Sequence, residues 1–392
     1  MIKDKIAVVI LACKDFESLE VSLCNYLEHT PDENVHFFVL QNGFGSYDKN
    51  RTLAVARKYH DLYPERITVV DWLKENKPYR TIKNLLHDKV LSSYKYVCKV
   101  DDDTFPVTDD WVEKLYKSYL ENKKKYGKDL AFTFPLVNNN PYGFKKTIEI
   151  MGLEKEYKTT IGRKHYAGSD WDHPMVQKYY PLRIFEKDEI FPSGFGTVWR
   201  YPYMARWIHN KTTLDVDNWI KALENAPDEL FDNNIRYSIN CMFFEKEYWD
   251  LLDNGTDDDE GTVHEVSLKL NQKLIAVCSV PFVHLFFFSQ REENKDMLTQ
   301  IVQYYTKRLG INYPMTLYSN KETEIENRLR YIEECLNTIQ IISSEAYLTN
   351  FLRIQKIKAF LTFGKCHKKY EKRIKYITDK LSEIRKYQKL GF

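Results

Sequence analysis

From Ile6 onward the chain alternates between strongly apolar runs, the first of them continuous, and segments whose apolar residues recur at three- and four-residue intervals. "IAVVILAC" is followed by the helical spacing of "DFESLEVSLCNYLEH"; "VHFFVLQNG" is a second run, a helix is predicted around Arg51 to Tyr63, and "RITVVDWL" is a third run. Strands apolar on both faces, separated by amphipathic helices, predict a parallel sheet covered on both sides. A helix-like segment from Tyr79 to Ser93 leads into a fourth strand, "YKYVCKV", so Asp101, Asp102 and Asp103 fall at its carboxyl end. Open α/β sheets bind ligands at that end.

Downstream, "DDWVEKLYKSYLENKKKY" reads as a helix with Asp109 or Asp110 as its N-cap. Residues 138–203 look irregular, rich in Tyr, Asn, Gly and Pro, and include "NNNPYG" and "FPSGFGTVWRYP". Long loops inside a compact domain are usually functional. A helix-rich region starts near Met204. "SINCMFF" then reads as a strand, "EKEYWDLL" as a short helix and "TVHEVSLKLNQK" as a longer one. "LIAVCSVPFVHLFFF" is too short for a membrane helix and is interrupted by Pro281 and His284, so it reads as buried strands. Beyond Gln290 the spacing is helical almost to the end.

Composition changes this picture little. Of 392 residues 43% are hydrophobic and 15% aromatic, which excludes a disordered chain and fits an enzyme or binding protein. Seven cysteines without a CxxC pair argue for a reducing compartment rather than a disulfide framework. Lysines ahead of eight apolar residues give the N-terminus the look of an export signal, but the amphipathic helix that follows at once favours a first buried strand. Charge adds more. Residues 353–392 hold 13 Lys and Arg against Glu371, Asp379 and Glu383, a net of +10 that leaves −8 on the 352 residues before them, given +2 overall. This basic amphipathic tail suits an anionic membrane surface, helical dimerisation or, last, nucleic acid, for which no recognised module is present.

Three adjacent carboxylates repel one another, and two purposes would justify them: a solvated turn, or a divalent cation. With Asp109 and Asp110 placed to cap the next helix, a cation is the better account. Hard oxygen ligands select Mg²⁺ or Mn²⁺, which bind one or two carboxylates while phosphates fill other positions. Residues two apart on an extended backbone point the same way, which would pair Asp101 with Asp103. A second acidic cluster, "DDDEG" at 257–261, stands before a predicted helix and is either a solvated capping loop or a source of general bases. His284, after "VPFV", is either a core histidine or a metal ligand. "SGFG" at 193–196 reads as a ligand loop or a plain turn, and Trp171, Trp199, Trp207 and Trp219 as sugar-stacking or core residues.

Through these motifs the sequence resembles the GT-A glycosyltransferases, especially the large inverting family that builds bacterial surface polysaccharides. The likeness runs through "VVILACKDFESL", the turn "LQNG", the helix "IKNLL" and above all "YKYVCKVDDDTFPVTDDWVEKL", and covers about residues 5 to 290. It implies an α/β fold, a Rossmann-like mixed sheet flanked by helices, with a C-terminal helical extension. It implies that Asp101, Asp103 and His284 hold Mn²⁺ or Mg²⁺, and that Asp101 and Asp102 also contact the nucleoside-diphosphate sugar. Ala12, Gln41 and Asn42 would lie near its base and ribose, and Lys83 would face its phosphates. Asp259, Glu260 or Asp258 would be the base that deprotonates the acceptor; the spacing leaves the choice among them open.

The expected protein is therefore a metal-dependent, inverting glycosyltransferase acting on a glycan or lipid-linked acceptor in capsule or lipopolysaccharide assembly. It would be cytoplasmic, reaching the inner-membrane face through its tail, with homo-oligomerisation open and no nucleic-acid partner. Residues 1–290 would form the transferase domain, 1–110 the nucleotide half and 111–290 the acceptor half, and 291–392 the helical extension. A sugar nucleotidyltransferase is the enzymatic rival, disfavoured because "LACKDFESLE" lacks a glycine-rich loop. A non-catalytic membrane or assembly adaptor on the same scaffold is the other.

Overall fold

The computed structural model describes residues 2–13, 15–42, 47–73, 77–162, 202–231, 237, 239–252, 259–286, 290–291 and 293–311, with 371, 374, 375 and 378 near the end. The chain forms two compact units, Met1–Thr316 and Leu317–Phe392. The second contains only the last four of those residues, so all but these four of the basic tail, like "SGFG", Trp171, Trp199 and Asp258, lie outside the described residues.

The first unit is built on one mixed sheet. Its strands are β1 (Ile6–Ala12), β2 (Val35–Gln41), β3 (Ile67–Val70), β4 (Tyr96–Asp101), β5 (Thr104–Pro106), β6 (Leu130–Val137), β7 (Asp228–Phe231), β8 (Cys241–Glu245) and β9 (Lys273–His284). Their order is 3-2-1-4-8-6-9-5, with β7 also on β9. The first four are mutually parallel, as their predominantly apolar runs predict. β8 runs antiparallel to β4 and β6 and joins that quartet to the parallel pair of β6 and β9.

The described helices are α1 (Phe16–Glu28), α2 (Tyr47–Leu62), α3 (Pro78–Leu86), α4 (Trp111–Tyr126), α5 (Pro141–Ile150), α6 (Glu154–Tyr157), α7 (Pro202–Lys211), α8 (Val216–Leu223), α9 (Asp259–Lys269) and α10 (Lys295–Arg308). The expected mixed α/β sheet flanked by helices is the architecture the chain adopts.

Three local departures from the sequence reading have physical causes. The aspartates do not lead straight into a helix: the chain turns at Asp102 and Asp103 and adds the short strand β5, which pairs with the end of β9. Neither Asp109 nor Asp110 caps α4 with its side chain. Asp110 holds the N-cap position, but its carboxylate pairs with Lys114 at 2.9 Å, and Asp109 takes His29 Nδ1 at 2.6 Å. The stretch expected to be irregular from residue 138 is helical over 141–150 and again over 154–162. Its turn-type residues serve a helix start instead: Pro141 occupies the first turn, and Asn140 Oδ1 accepts the Gly143 N–H at 2.7 Å. A Cβ on Gly143 would stand 1.9 Å from the Val137 carbonyl oxygen, so this close approach requires glycine. Behind it Phe144, Ile148, Tyr157, Met204 and Ile208 form a buried cluster, with Trp207 against it; Trp219 is also fully buried.

β9 fixes the geometry that matters most for the site. Its first half pairs with β7 and its last three residues with β5, and its pairing with β6 shifts register between Val277 and Pro281. Pro281, which has no N–H to give, sits where that ladder resumes. The same strand therefore pairs with β6, β7 and β5 in turn and ends with His284 opposite Thr104.

Candidate active site

The carboxyl ends of β1, β2 and β4 lie level, with Leu11 opposite Asp101 and Ala12 opposite Gln41. The backbone of the aspartate turn is tied residue by residue to different elements. Asp101 N–H donates to Asn240 O at 3.0 Å, Ser22 Oγ of α1 donates to Asp102 O at 3.0 Å, and Leu285 N–H donates to Asp103 O at 2.9 Å. Tyr26 adds a 2.7 Å hydrogen bond to the Thr104 carbonyl.

Because the chain turns here, the three side chains diverge rather than alternate. Asp101 Oδ1 accepts from Lys99 Nζ at 2.6 Å and its Oδ2 from Asn240 Nδ2 at 3.3 Å. Asp102 Oδ2 accepts the Cys13 N–H at 2.9 Å. Asp103 Oδ2 faces His284 Nε2 at 3.5 Å and Arg291 Nη2 at 3.7 Å. His284 Nδ1 meets the Asn139 carbonyl at 2.7 Å. A carbonyl only accepts, so Nδ1 carries a proton and Nε2 is the nitrogen turned to Asp103.

Burial and neighbouring charge pull these groups apart. Burial, with Asp103 and Asp15 close by, pushes the Asp102 carboxyl far above the usual range. Burial also pushes Asp103 upward, but His284 and Arg291 outweigh it and bring its carboxyl below the usual range. His284 is raised, its burial overcome by Asp103. Asp15, the N-cap of α1, is raised by burial and by Asp103. Of this pair the surroundings thus favour the charged form of Asp103 and the neutral form of Asp102.

Across from this cluster Lys99 joins the two acidic motifs. Its side chain is 1% exposed; besides Asp101 it donates to Ile239 O at 2.9 Å and stands 4.0 Å from Asp259 Oδ2. Burial works against its charge, but Asp101 first, then Asp259 and more weakly Glu260, raise its pKa. Asp259 and Glu260 open α9, and Asp259 Oδ1 also accepts the Glu260 N–H at 3.0 Å.

The remaining expected residues are placed as follows. Gln41 is fully buried, with neither amide atom hydrogen-bonded among the described residues, and the Asn42 side chain accepts from Thr81 Oγ1 at 3.3 Å. Lys83, in the last turn of α3, lies over the Tyr79 ring at 5.9 Å. Among the described residues no three His, Cys, Asp or Glu side chains form a group that could hold a metal by themselves, so Asp101, Asp103 and His284 do not converge as one triad.

Sequence reasoning passed over Lys99, Asp15, Arg291 and the asparagines of 138–140. Lys99 left a signal, a lone lysine in a strand buried on both faces, where a charge requires partners. The asparagines form a buried clamp on His284: Asn138 Oδ1 accepts the His284 N–H at 2.9 Å, while Asn138 Nδ2 donates to Thr212 and Thr213. His209 completes it, with Nδ1 at 2.7 Å from Thr213 Oγ1 and Nε2 on the Leu285 carbonyl.

Burial lowers the His209 pKa to about 4. Its folded value lies below the unfolded one, so the unfolded chain takes up the proton first and stability falls as pH drops below about 6.5. Between pH 7.5 and 5 the wild type is expected to lose about 2 kcal/mol from this residue. Urea unfolding should show that loss, and His209→Gln should lack it; a parallel pH slope in the variant would contradict the assignment.

No protein-family model matches the chain, and no curated protein matches it. Solved structures similar to it include a mannosyltransferase from Pyrobaculum calidifontis in complex with GDP-Man and Mn²⁺, at 12% identity, over 80% of this chain and 67% of that one, with a TM-score of 0.41. Glucosyl-3-phosphoglycerate synthase from Mycobacterium tuberculosis, in complex with Mn²⁺, UDP-Glc and phosphoglyceric acid, is similar at 13% identity over 81% and 86%, with a TM-score of 0.32. With scores this low, what the site can do has to follow from its own residues. Among the described residues no helix is long and apolar enough to cross a membrane.

Proposed function

We propose that the chain is a metal-dependent glycosyltransferase of the GT-A type, moving a sugar from a nucleoside-diphosphate donor to a glycan or lipid-linked acceptor with inversion, in bacterial surface-polysaccharide assembly. The observation that carries it is the convergence on one buried lysine: Lys99 holds Asp101 at the carboxyl end of β4 and lies 4.0 Å from Asp259 at the start of α9. A donor-type acidic motif and a candidate base, far apart in sequence, thus share one site.

Asp103 and His284 are the residues suited to Mn²⁺ or Mg²⁺. Their donor atoms face each other across 3.5 Å, and the Asn139 carbonyl fixes the ring so that Nε2 is presented. Two protein donors fit an ion that takes its other ligands from a diphosphate and water. When bound, such an ion offsets charge on the departing diphosphate. The buried amide of Gln41, which lacks partners, suits the polar edge of a nucleobase, with Ala12 and Asn42 beside it. Asp101 then orders the turn between Lys99 and Asn240, and Asp102, whose burial favours the neutral carboxyl, is placed beside the Cys13 backbone at the same edge. Asp259 takes the proton of the acceptor hydroxyl as its oxygen bonds to the anomeric carbon and the bond to the diphosphate breaks.

Thermal unfolding with UDP, GDP, CMP and ADP, each with and without Mn²⁺, tests this. One nucleotide at about 100 times its Kd is expected to stabilise the protein by about 2.7 kcal/mol, in the presence of metal only. Asp103→Asn should abolish that gain. Stabilisation that ignores Mn²⁺, or survives in Asp103→Asn, would place the nucleotide elsewhere.

A further inference from the structure

Arg291 lies just beyond β9, with its side chain about one-third exposed. Its Nη2 stands 3.6 Å from Asp15 Oδ2 and 3.7 Å from Asp103 Oδ2, both beyond hydrogen-bond reach. Its Nε is buried and finds no acceptor among the described residues, and Asp15 Oδ2 is likewise without a hydrogen bond. Asp103 and Asp15 nevertheless raise its pKa against the effect of burial. A guanidinium has five N–H donors in a planar fork suited to paired oxygens of a phosphate or carboxylate. Here the charge is engaged while the fork is largely idle. Arg291 is held by attraction to the carboxylates rather than by directional bonds.

We propose that Arg291 is the resident counter-ion of the Asp103 and His284 pair, displaced by the divalent cation, and that its freed guanidinium then binds the donor's diphosphate. This inference rests on the glycosyltransferase reading of the same site. Metal alone must push a cation away from Asp103 and finds only two strong protein donors in return. Diphosphate alone meets a guanidinium already committed to Asp15 and Asp103. Together each provides what the other displaces: the metal takes over Asp103, and the phosphate oxygens take over Arg291. Metal and nucleoside diphosphate are therefore coupled, each tightening the other's binding. Asp15 contributes by keeping the guanidinium beside the site.

The experiment is Mn²⁺ binding followed by the paramagnetic resonance signal of free Mn²⁺, for the wild type, Arg291→Met and Arg291→Lys, with and without the nucleoside diphosphate that gives thermal stabilisation. Asp103→Asn provides the background from unrelated Mn²⁺ sites. Without nucleotide, Arg291→Met is expected to bind Mn²⁺ about tenfold tighter than the wild type, because the competing charge is gone. The nucleotide should then improve Mn²⁺ affinity about tenfold less in Arg291→Met than in the wild type. Arg291→Lys keeps the charge but not the fork, so its nucleotide-free Mn²⁺ affinity should stay near wild type while its nucleotide affinity falls. Wild-type Mn²⁺ affinity in nucleotide-free Arg291→Met, with metal and nucleotide coupling intact, would overturn the role of Arg291 and leave the transferase reading standing. A wild type whose Mn²⁺ binding is indifferent to every nucleoside diphosphate would overturn both.

Discussion

Asp259→Asn is expected to lower turnover by about 10²- to 10⁴-fold with little change in donor KM, the loss that follows removal of a general base. Glu260→Gln should cost no more than about threefold. Both residues lie in the first turn of α9, where either neutralisation forfeits a similar helix-end interaction of about 0.3–1 kcal/mol, so each controls for the other's helix-end contribution, and urea midpoints of both variants report what Asp259→Asn adds through Lys99. They differ in what they face. Asp259 Oδ2 is 4.0 Å from the lysine that grips Asp101, whereas Glu260 exerts the weaker pull on that lysine. Metal-dependent hydrolysis of the nucleotide sugar, with water replacing the acceptor, gives the measurement before any acceptor is known. If Glu260→Gln collapses and Asp259→Asn does not, the base is assigned to the wrong residue, and Asp258→Asn belongs in the same series because the sequence left all three open.

The sheet was legible because parallel strands buried on both faces leave predominantly apolar runs, unbroken in β1 and interrupted by single polar residues such as His36, Thr68 and Lys99 in β2 to β4. The position of the aspartates followed from that: a motif after the fourth such run has to stand at the carboxyl edge. What the sequence did not disclose is set by turns and by pairing at a distance. Asp101 and Asp103 would share a face on a straight strand, but the chain turns between them, and β5 pairs with β9 so that Asp103 meets His284 while Asp101 is left to Lys99. Composition misled over 141–162, where proline and glycine mark a helix start packed against Val137 rather than a loop. Arg291 gave no signal at all, since nothing local in "SQREEN" links it to Asp15 or Asp103.

Asp101→Ala is expected to destabilise the protein by about 3 kcal/mol, a large share of the 5–15 kcal/mol typical of a folded domain. The cause is Lys99 rather than any bound ion. With Asp101 removed, an ammonium that is 1% exposed keeps only the Ile239 carbonyl at 2.9 Å and Asp259 at 4.0 Å. Removing one partner of a buried pair typically costs about 3–5 kcal/mol; the lower end applies because Asp101 itself is 28% exposed. Lys99→Met in the same chain replaces the stranded charge with an apolar side chain of similar length and should recover about 2 kcal/mol, so the two changes are far from additive. Urea midpoints of the two single variants and the double variant give the coupling directly. Additive losses would mean that Lys99 draws its stability from elsewhere. The result also decides how Asp101 can be probed: a single Asp101→Ala variant that fails to bind nucleotide reports a damaged fold as much as a lost ligand. The double variant, stable but still unable to bind, would be the evidence that Asp101 itself touches the donor.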